Sequence, residues 1–109
     1  MTDADTILAS DIGREELLAE LRALMPAFAR EGVQHMALVG SRARGDNRRD
    51  SDVDLMIDVE ADRRFSLVEV ARIIRLVQDR IGLRADILMR RSLSPHLLAT
   101  AEQDQVRVF

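Results

Sequence analysis

The sequence predicts one α/β (α+β) domain over residues 1–109, with a small β-sheet flanked by helices. Two observations carry this expectation. Apolar residues at spacings of three and four alternate along the chain with three short stretches of strand character. Glycines and a serine–proline pair stand at the boundaries between these segments. The length suits a single modest core rather than two.

Residues 1–12 offer Ile7, Leu8 and Ile12 as their main apolar anchors and read as a loose lead-in or a short first turn. From Gly13, the side chains of Leu17, Leu18, Leu21, Leu24, Met25 and Phe28 gather on one helical face. Glu15 and Glu16 suit the positive end of that helix. Pro26 removes a backbone donor, so the helix either kinks there or gives way to a second short helix, and Gly32 ends the segment.

Gln34–Val39 is short, apolar and bounded by glycines, which predicts a first strand. In the second strand Val53, Leu55, Ile57 and Val59 alternate with Asp52, Asp54, Met56 and Asp58. That pattern fits one face packed by helices and the other open to a cleft. Ala61–Phe65 is a charged connection, and Ser66 with Glu69 forms a capping-box signature. Val70, Ile73, Ile74, Val77 and Ile81 make the next helical stripe, closed by Gly82. Arg84–Met89 reads as a third strand, Ala85, Ile87 and Met89 facing one way and Asp86 and Leu88 the other. Ser94-Pro95 starts a short last helix containing Leu97, Leu98 and Ala101, and Gln105–Phe109 forms an edge strand or a docked tail.

Composition narrows the function. Hydrophobic residues make up 47% and charged residues 32%, the profile of a globular protein. Phe28, Phe65 and Phe109 are the only aromatics, which argues against stacking platforms for single-stranded nucleic acid. A net charge of −3 argues against general nucleic-acid binding. Without cysteine there is no disulfide, thiol nucleophile or cysteine-based zinc site. No apolar run approaches membrane-spanning length, and the acidic start is unlike a signal peptide. A soluble, unprocessed, cytoplasmic protein with no membrane association is expected.

The chemistry concentrates in Gly40–Asp54. Asp52 and Asp54 fall on the same side of a strand, about 6–7 Å apart at the backbone, where carboxylates can share hard cations. Asp86, in the middle of a short apolar strand, is a third carboxylate that needs a reason. Taken singly, Asp52 is a turn residue, Asp54 a strand-end charge and Asp86 a partner for Arg84 or another arginine. Taken together on inferred cleft faces, the three suit a two-metal site for in-line phosphoryl displacement. Gly40 and Gly45 permit close backbone approach, Ser41 offers a hydroxyl and an amide, and Arg42, Arg44, Arg48 and Arg49 could neutralise a triphosphate. The stretch lacks the ending of a Walker P-loop. His35 and His96 lack zinc-site spacing, and Met25, Met36, Met56 and Met89 read as core filling.

Gly40-Ser41, ten residues, then Asp52-Val53-Asp54 resembles the Gly-Ser-x10-Asp-x-Asp motif of the minimal nucleotidyltransferases, a branch of the DNA polymerase β-like superfamily. Gly-Ser-Arg-Ala-Arg-Gly followed by Ser-Asp-Val-Asp-Leu is similar to the antitoxin partners of HEPN-domain ribonuclease toxins, and Arg84-Ala-Asp-Ile-Leu corresponds to the strand with the third carboxylate. The resemblance covers about residues 14–109. Val39 departs from it, standing where the family often has an aromatic residue.

The resemblance implies a polymerase β-like fold with a small mixed sheet, and transfer of AMP from ATP to an acceptor hydroxyl with release of pyrophosphate. Asp52, Asp54 and Asp86 would be catalytic and hold two Mg²⁺ ions, and Gly40, Ser41, Arg42 and Arg44 would bind nucleotide. The acceptor would be a tyrosine of a partner HEPN toxin. Neutralisation by occlusion alone, or transfer to a small molecule or RNA end, are the alternatives.

Overall fold

In the computed structural model, residues 12–109 are described; the expected lead-in lies almost wholly outside them. Helix α1 (Arg14–Ala23) is followed at once by α2 (Met25–Arg30), strand β1 (Val33–Val39) and the single turn α3 (Ser41–Arg44). Then come β2 (Val53–Val59), α4 (Leu67–Ile81), β3 (Ala85–Met89), α5 (Pro95–Asp104) and β4 (Val106–Arg107). The sheet order is β3-β2-β1-β4. β1 runs antiparallel to β2 and β4, while β2 and β3 are parallel, so the sheet is mixed.

Local chemistry accounts for the breaks. At Pro26 the chain starts a second helix: Leu24 caps α1 and α2 together, and the proline sits in the first turn of α2, where a missing donor costs nothing. Ser66 and Glu69 form the full capping box of α4, and Gly82 closes that helix in the left-handed region at φ 81°. The Ser94 side chain accepts from the Leu97 amide at the start of α5.

The two faces of the sheet are unequal. Leu17, Leu21 and Phe28 from α1 and α2, with Ile73 and Val77 from α4, pack against Leu38, Leu55 and Ile57, and all are buried. A smaller cluster lies on the other face, where Ala37, Val39 and Met56 meet Ala101 of α5. Strand alternation puts Met56 on the open cleft face while its residue type reads as core filling; α5 crosses the middle of that face and leaves the side chain 1% exposed, so the core reading holds for it. What stays open lies beyond the helix.

The C-terminal residues are both edge strand and docked tail. β4 pairs with Ala37 and Leu38, Val108 and Phe109 bond to the backbone of Met36, and the Phe109 ring stacks on Phe28 with centroids 6.3 Å apart. Arg22 donates to the carbonyls of Val108 at 2.8 Å and Arg107 at 3.0 Å, covering part of the outer edge of this strand. Among the described residues no helix is long and apolar enough to cross a membrane.

Candidate active site

The Gly-Ser-Arg-Ala-Arg-Gly stretch is a single helical turn held between two glycines in the left-handed region. Gly40 has φ 76° and Gly45 has φ 87°, values that side chains disfavour. Gly40 is further constrained, since a Cβ there would fall on the carboxylate of Asp54. The end of β1 and Asp54, the first acidic residue of β2, therefore touch only because residue 40 has no side chain.

Successive positions of α3 are rotated by about 100°, so Arg42 and Arg44 leave it in opposite directions. Arg42 turns inward, is 2% exposed, and donates to the carbonyls of Ser51 at 2.9 Å, Arg49 at 3.1 Å and Arg48 at 3.4 Å. Burial lowers its pKa, and the charges of Asp50 and Asp52 oppose that shift. The Ser51 hydroxyl accepts from the Arg48 amide at 2.8 Å. The loop between α3 and β2 is thus folded around the Arg42 guanidinium and delivers Asp52 to the start of β2. The guanidinium expected to meet a triphosphate is committed to the loop.

Arg44 turns outward, half-exposed, and bridges Asp46 at 3.0 Å and Asp104 at 2.8 Å. Hydrogen bonds to these two carboxylates raise its pKa. Asp104 closes α5, sixty positions away, and nothing in the sequence pattern links it to Arg44. The inward turn of Arg42 was legible in principle, because helical spacing separates residues 42 and 44 once the stretch is read as a helix rather than a loop.

On β2, Asp54 pairs in register with Val39 on one side and with Asp86 of β3 on the other. The parallel pairing sets these two carboxylates on neighbouring strands of one sheet face. Burial raises the Asp54 pKa, the charges of Asp86 and Asp52 add to the rise, and Arg44 partly offsets it. Asp86 is exposed and Asp52 half-buried. Among the described residues none of the three forms an ion pair with an arginine, and no three metal-ligating side chains converge closely enough to cage an ion by themselves.

A groove of about 240 Å³ adjoins this cluster, with Gly40, Arg44 and Asp54 on one wall and Leu93, Leu97 and Asp104 on the other. A larger concavity, about 490 Å³, lies around His35, Asp58 and Arg90. Its Asp58 is four β2 residues from Asp54, about 13 Å along the strand, with the buried Met56 between them, and its Arg90 is satisfied by Asp58, Glu102 and Gln105. The larger space is thus separate from the acidic cluster. His96 lies on exposed α5, and Arg48 is exposed beside the turn.

Comparison with known proteins bears on this arrangement. A family model described as a nucleotidyltransferase domain matches residues 14–108. The protein adenylyltransferase MntA of Thermococcus cleftensis is 30% identical over 96 residues, covering 84% of this chain and 95% of the relative. A Methanocaldococcus jannaschii protein named as a protein adenylyltransferase is 30% identical over 77 residues, covering 70% of this chain and 77% of that one. A solved structure described as a minimal nucleotidyltransferase superposes with a TM-score of 0.75 at 32% identity, over 88% of this chain and 96% of that chain. A tri-AMPylated Shewanella oneidensis HEPN toxin in complex with its MNT antitoxin matches with a TM-score of 0.65 at 12% identity, over 88% of this chain and 71% of that one, a likeness of fold.

Proposed function

The chain belongs to the nucleotidyltransferase-domain family, and on that premise we propose that it transfers AMP from ATP to a hydroxyl of a partner HEPN-domain toxin, acting as its antitoxin. The observation that carries the assignment of the reaction centre is the register of Asp54 beside Asp86, pressed against Gly40. The protein acceptor is supported by relatives named protein adenylyltransferase and by the fold shared with an MNT antitoxin. This chain contains no tyrosine, so a tyrosine acceptor belongs to the partner.

The donor set fits magnesium. Three carboxylates supply hard oxygen ligands, and ionised Asp54, disfavoured first by burial and then by the charges of Asp86 and Asp52, is of the kind a cation stabilises. Magnesium retains waters and binds substrate phosphates, so carboxylates that do not form a complete cage suit it. Asp52 and Asp54 would hold the ions and Asp86 would complete the site. Bound ions would neutralise charge on the phosphoryl oxygens.

The residues then divide the work. Gly40 leaves room for the Asp54 carboxylate. Ser41 offers its hydroxyl and, in the first turn of α3, an amide without an intrahelical acceptor. Arg44 brings positive charge to the rim, and Arg42 positions Asp52 through the loop it holds. The acceptor oxygen bonds to the α-phosphorus as the bond to the α,β-bridging oxygen breaks. Pyrophosphate leaves with that oxygen, and the acceptor proton passes to an Asp86 carboxylate oxygen.

ATP labelled at the α-phosphate, incubated with the chain and its purified partner, tests this. Label is expected on the partner, with none transferred from the γ-position. Transfer of γ-label instead would make the protein a kinase. Full neutralisation of the partner in cells by an Asp52→Ala/Asp54→Ala variant would show that occlusion, not transfer, is the activity.

A further inference from the structure

We propose that the partner's acceptor segment docks as an added strand along the free edge of β3, with its hydroxyl-bearing residue on the acidic face beside Asp86 and a carboxylate two positions away beside Arg84. The inference rests on the nucleotidyl-transfer reading above and adds to it the surface and the local chemistry by which the acceptor is recognised. Position is the first support. β3 is an outer strand of the sheet, paired with β2 alone, and it carries Asp86, which is exposed. An acceptor that reaches Asp86 therefore arrives at a sheet edge.

The backbone of that edge is the second support. The Val53 amide donates to the Arg84 carbonyl at 2.8 Å, and in a parallel ladder successive residues turn their backbone groups to opposite sides. Arg84, Asp86 and Leu88 thus face β2, whereas Ala85, Ile87 and Met89 face outward. Ala85 is covered at 8% exposure, but Ile87 and Met89 are partly exposed. Among the described residues none bonds to the amide or carbonyl of Ile87. Sheet edges are commonly blunted by a bulge, a proline or a lysine, and otherwise serve as templates for another strand. β3 has none of these and pairs with β2 without a break in register. The opposite edge differs: β4 has two residues, and Arg22 occupies the Arg107 carbonyl.

Side chains define what docks. A strand added to β3 lies about 4.8 Å from it, and its directly opposed residues sit about 4.5–5.5 Å away between Cβ atoms. The residue opposite Asp86 then projects over the acidic face, next to the carboxylate that takes the acceptor proton. Arg84 shares that face two positions earlier, is exposed, and has no ion-pair partner among the described residues. A carboxylate two positions from the acceptor residue meets it and fixes the register of the incoming strand. The residues between them turn to the other face, beside Ile87, and are expected to be apolar. The segment recognised is thus extended, with a hydroxyl and a carboxylate separated by one apolar residue.

Residue-resolved amide exchange of the full chain, alone and saturated with its purified partner, tests this. In the free chain the Ile87 amide is expected to exchange quickly, while those of Asp86 and Leu88, which face β2, exchange slowly. Binding is expected to slow Ile87 by at least about tenfold and to leave the other two little changed. Arg84→Glu, an exposed substitution, is expected to weaken binding of the partner by about tenfold with the melting temperature of the free chain unchanged. An Ile87 amide that stays fast in the complex would overturn the proposal, as would failure to form a complex or unchanged affinity in Arg84→Glu. Slow exchange of Ile87 in the free chain would also overturn it: the edge would belong to a second copy if the protection grew with concentration, and to another segment of this chain if it did not. Protection of Ile87 in a complex that acquires no α-label leaves the docking standing and removes the transfer reading. Transfer of α-label with Ile87 unprotected removes the docking alone.

Discussion

Asp54 works against the stability of the fold that holds it. Its pKa is raised above 3.8, chiefly by burial and then by Asp86 and Asp52, so over the interval between the unfolded and folded values the folded chain binds more protons than the unfolded one. The contribution of Asp54 to stability therefore falls as pH rises through that interval and stays reduced above it. Asp54→Asn is expected to melt higher than wild type at pH 7 with cations chelated, and the difference should shrink as pH falls below 3.8. The same variant should lose at least about a hundredfold in transfer rate. Thermal melts across pH and a label-transfer assay check the two halves; a lower melting temperature at pH 7 would show that the carboxylate is paired and stabilising. Arg42 shows the opposite balance. Arg42→Met is expected to destabilise by about 2–4 kcal/mol, because the loop carbonyls lose a charged donor at the core boundary. Urea unfolding measures this, and proteolysis should find the loop between residues 46 and 52 more open. The placement of Asp54 and Asp86 on one sheet face was legible because strand alternation assigns faces, whereas Asp52 lies just before β2 and is placed by the loop. Arg42 was not legible, because reading the stretch as a loop hid the helical rotation that separates it from Arg44.

At the scale of elements, most boundaries followed from local chemistry. The capping box at Ser66, the proline after Ser94 and the glycines at residues 32 and 82 end or begin segments through interactions within a few residues. Ser66→Ala is expected to cost about 1 kcal/mol in equilibrium unfolding through loss of the α4 cap. The single turn α3 escaped prediction because four residues are too few to show a period. The sequence does not decide between strand and tail at the C-terminus because what holds β4 is remote: Arg22 bonds its Arg107 carbonyl, 85 positions away, and the Val108 carbonyl just beyond it. Arg22→Ala is therefore expected to increase amide exchange in β4 and at Met36 more than elsewhere in the sheet, as followed by hydrogen–deuterium exchange. Uniform exchange across all four strands would contradict that local role.

At the scale of the whole molecule, the decisive feature is strand order. Alternation tells which residues share a face, but it cannot say which strands are neighbours. The parallel pairing of β2 with β3 sets Asp86 beside Asp54, and the antiparallel pairing with β1 brings Gly40 to the other side. Helix α5 then covers the centre of this face, burying Met56 and confining the open surface to the acidic end and the region of His35 and Arg90. The central claim is that the adjacent carboxylates of β2 and β3 form the reaction centre. Its most direct measurement is the rate of α-label transfer from ATP to the purified partner by wild type, Asp54→Asn and Asp86→Asn, each first shown to be folded. Both variants are expected to fall by at least about a hundredfold while the wild type labels its partner. Wild-type transfer by the Asp86→Asn variant would contradict the account.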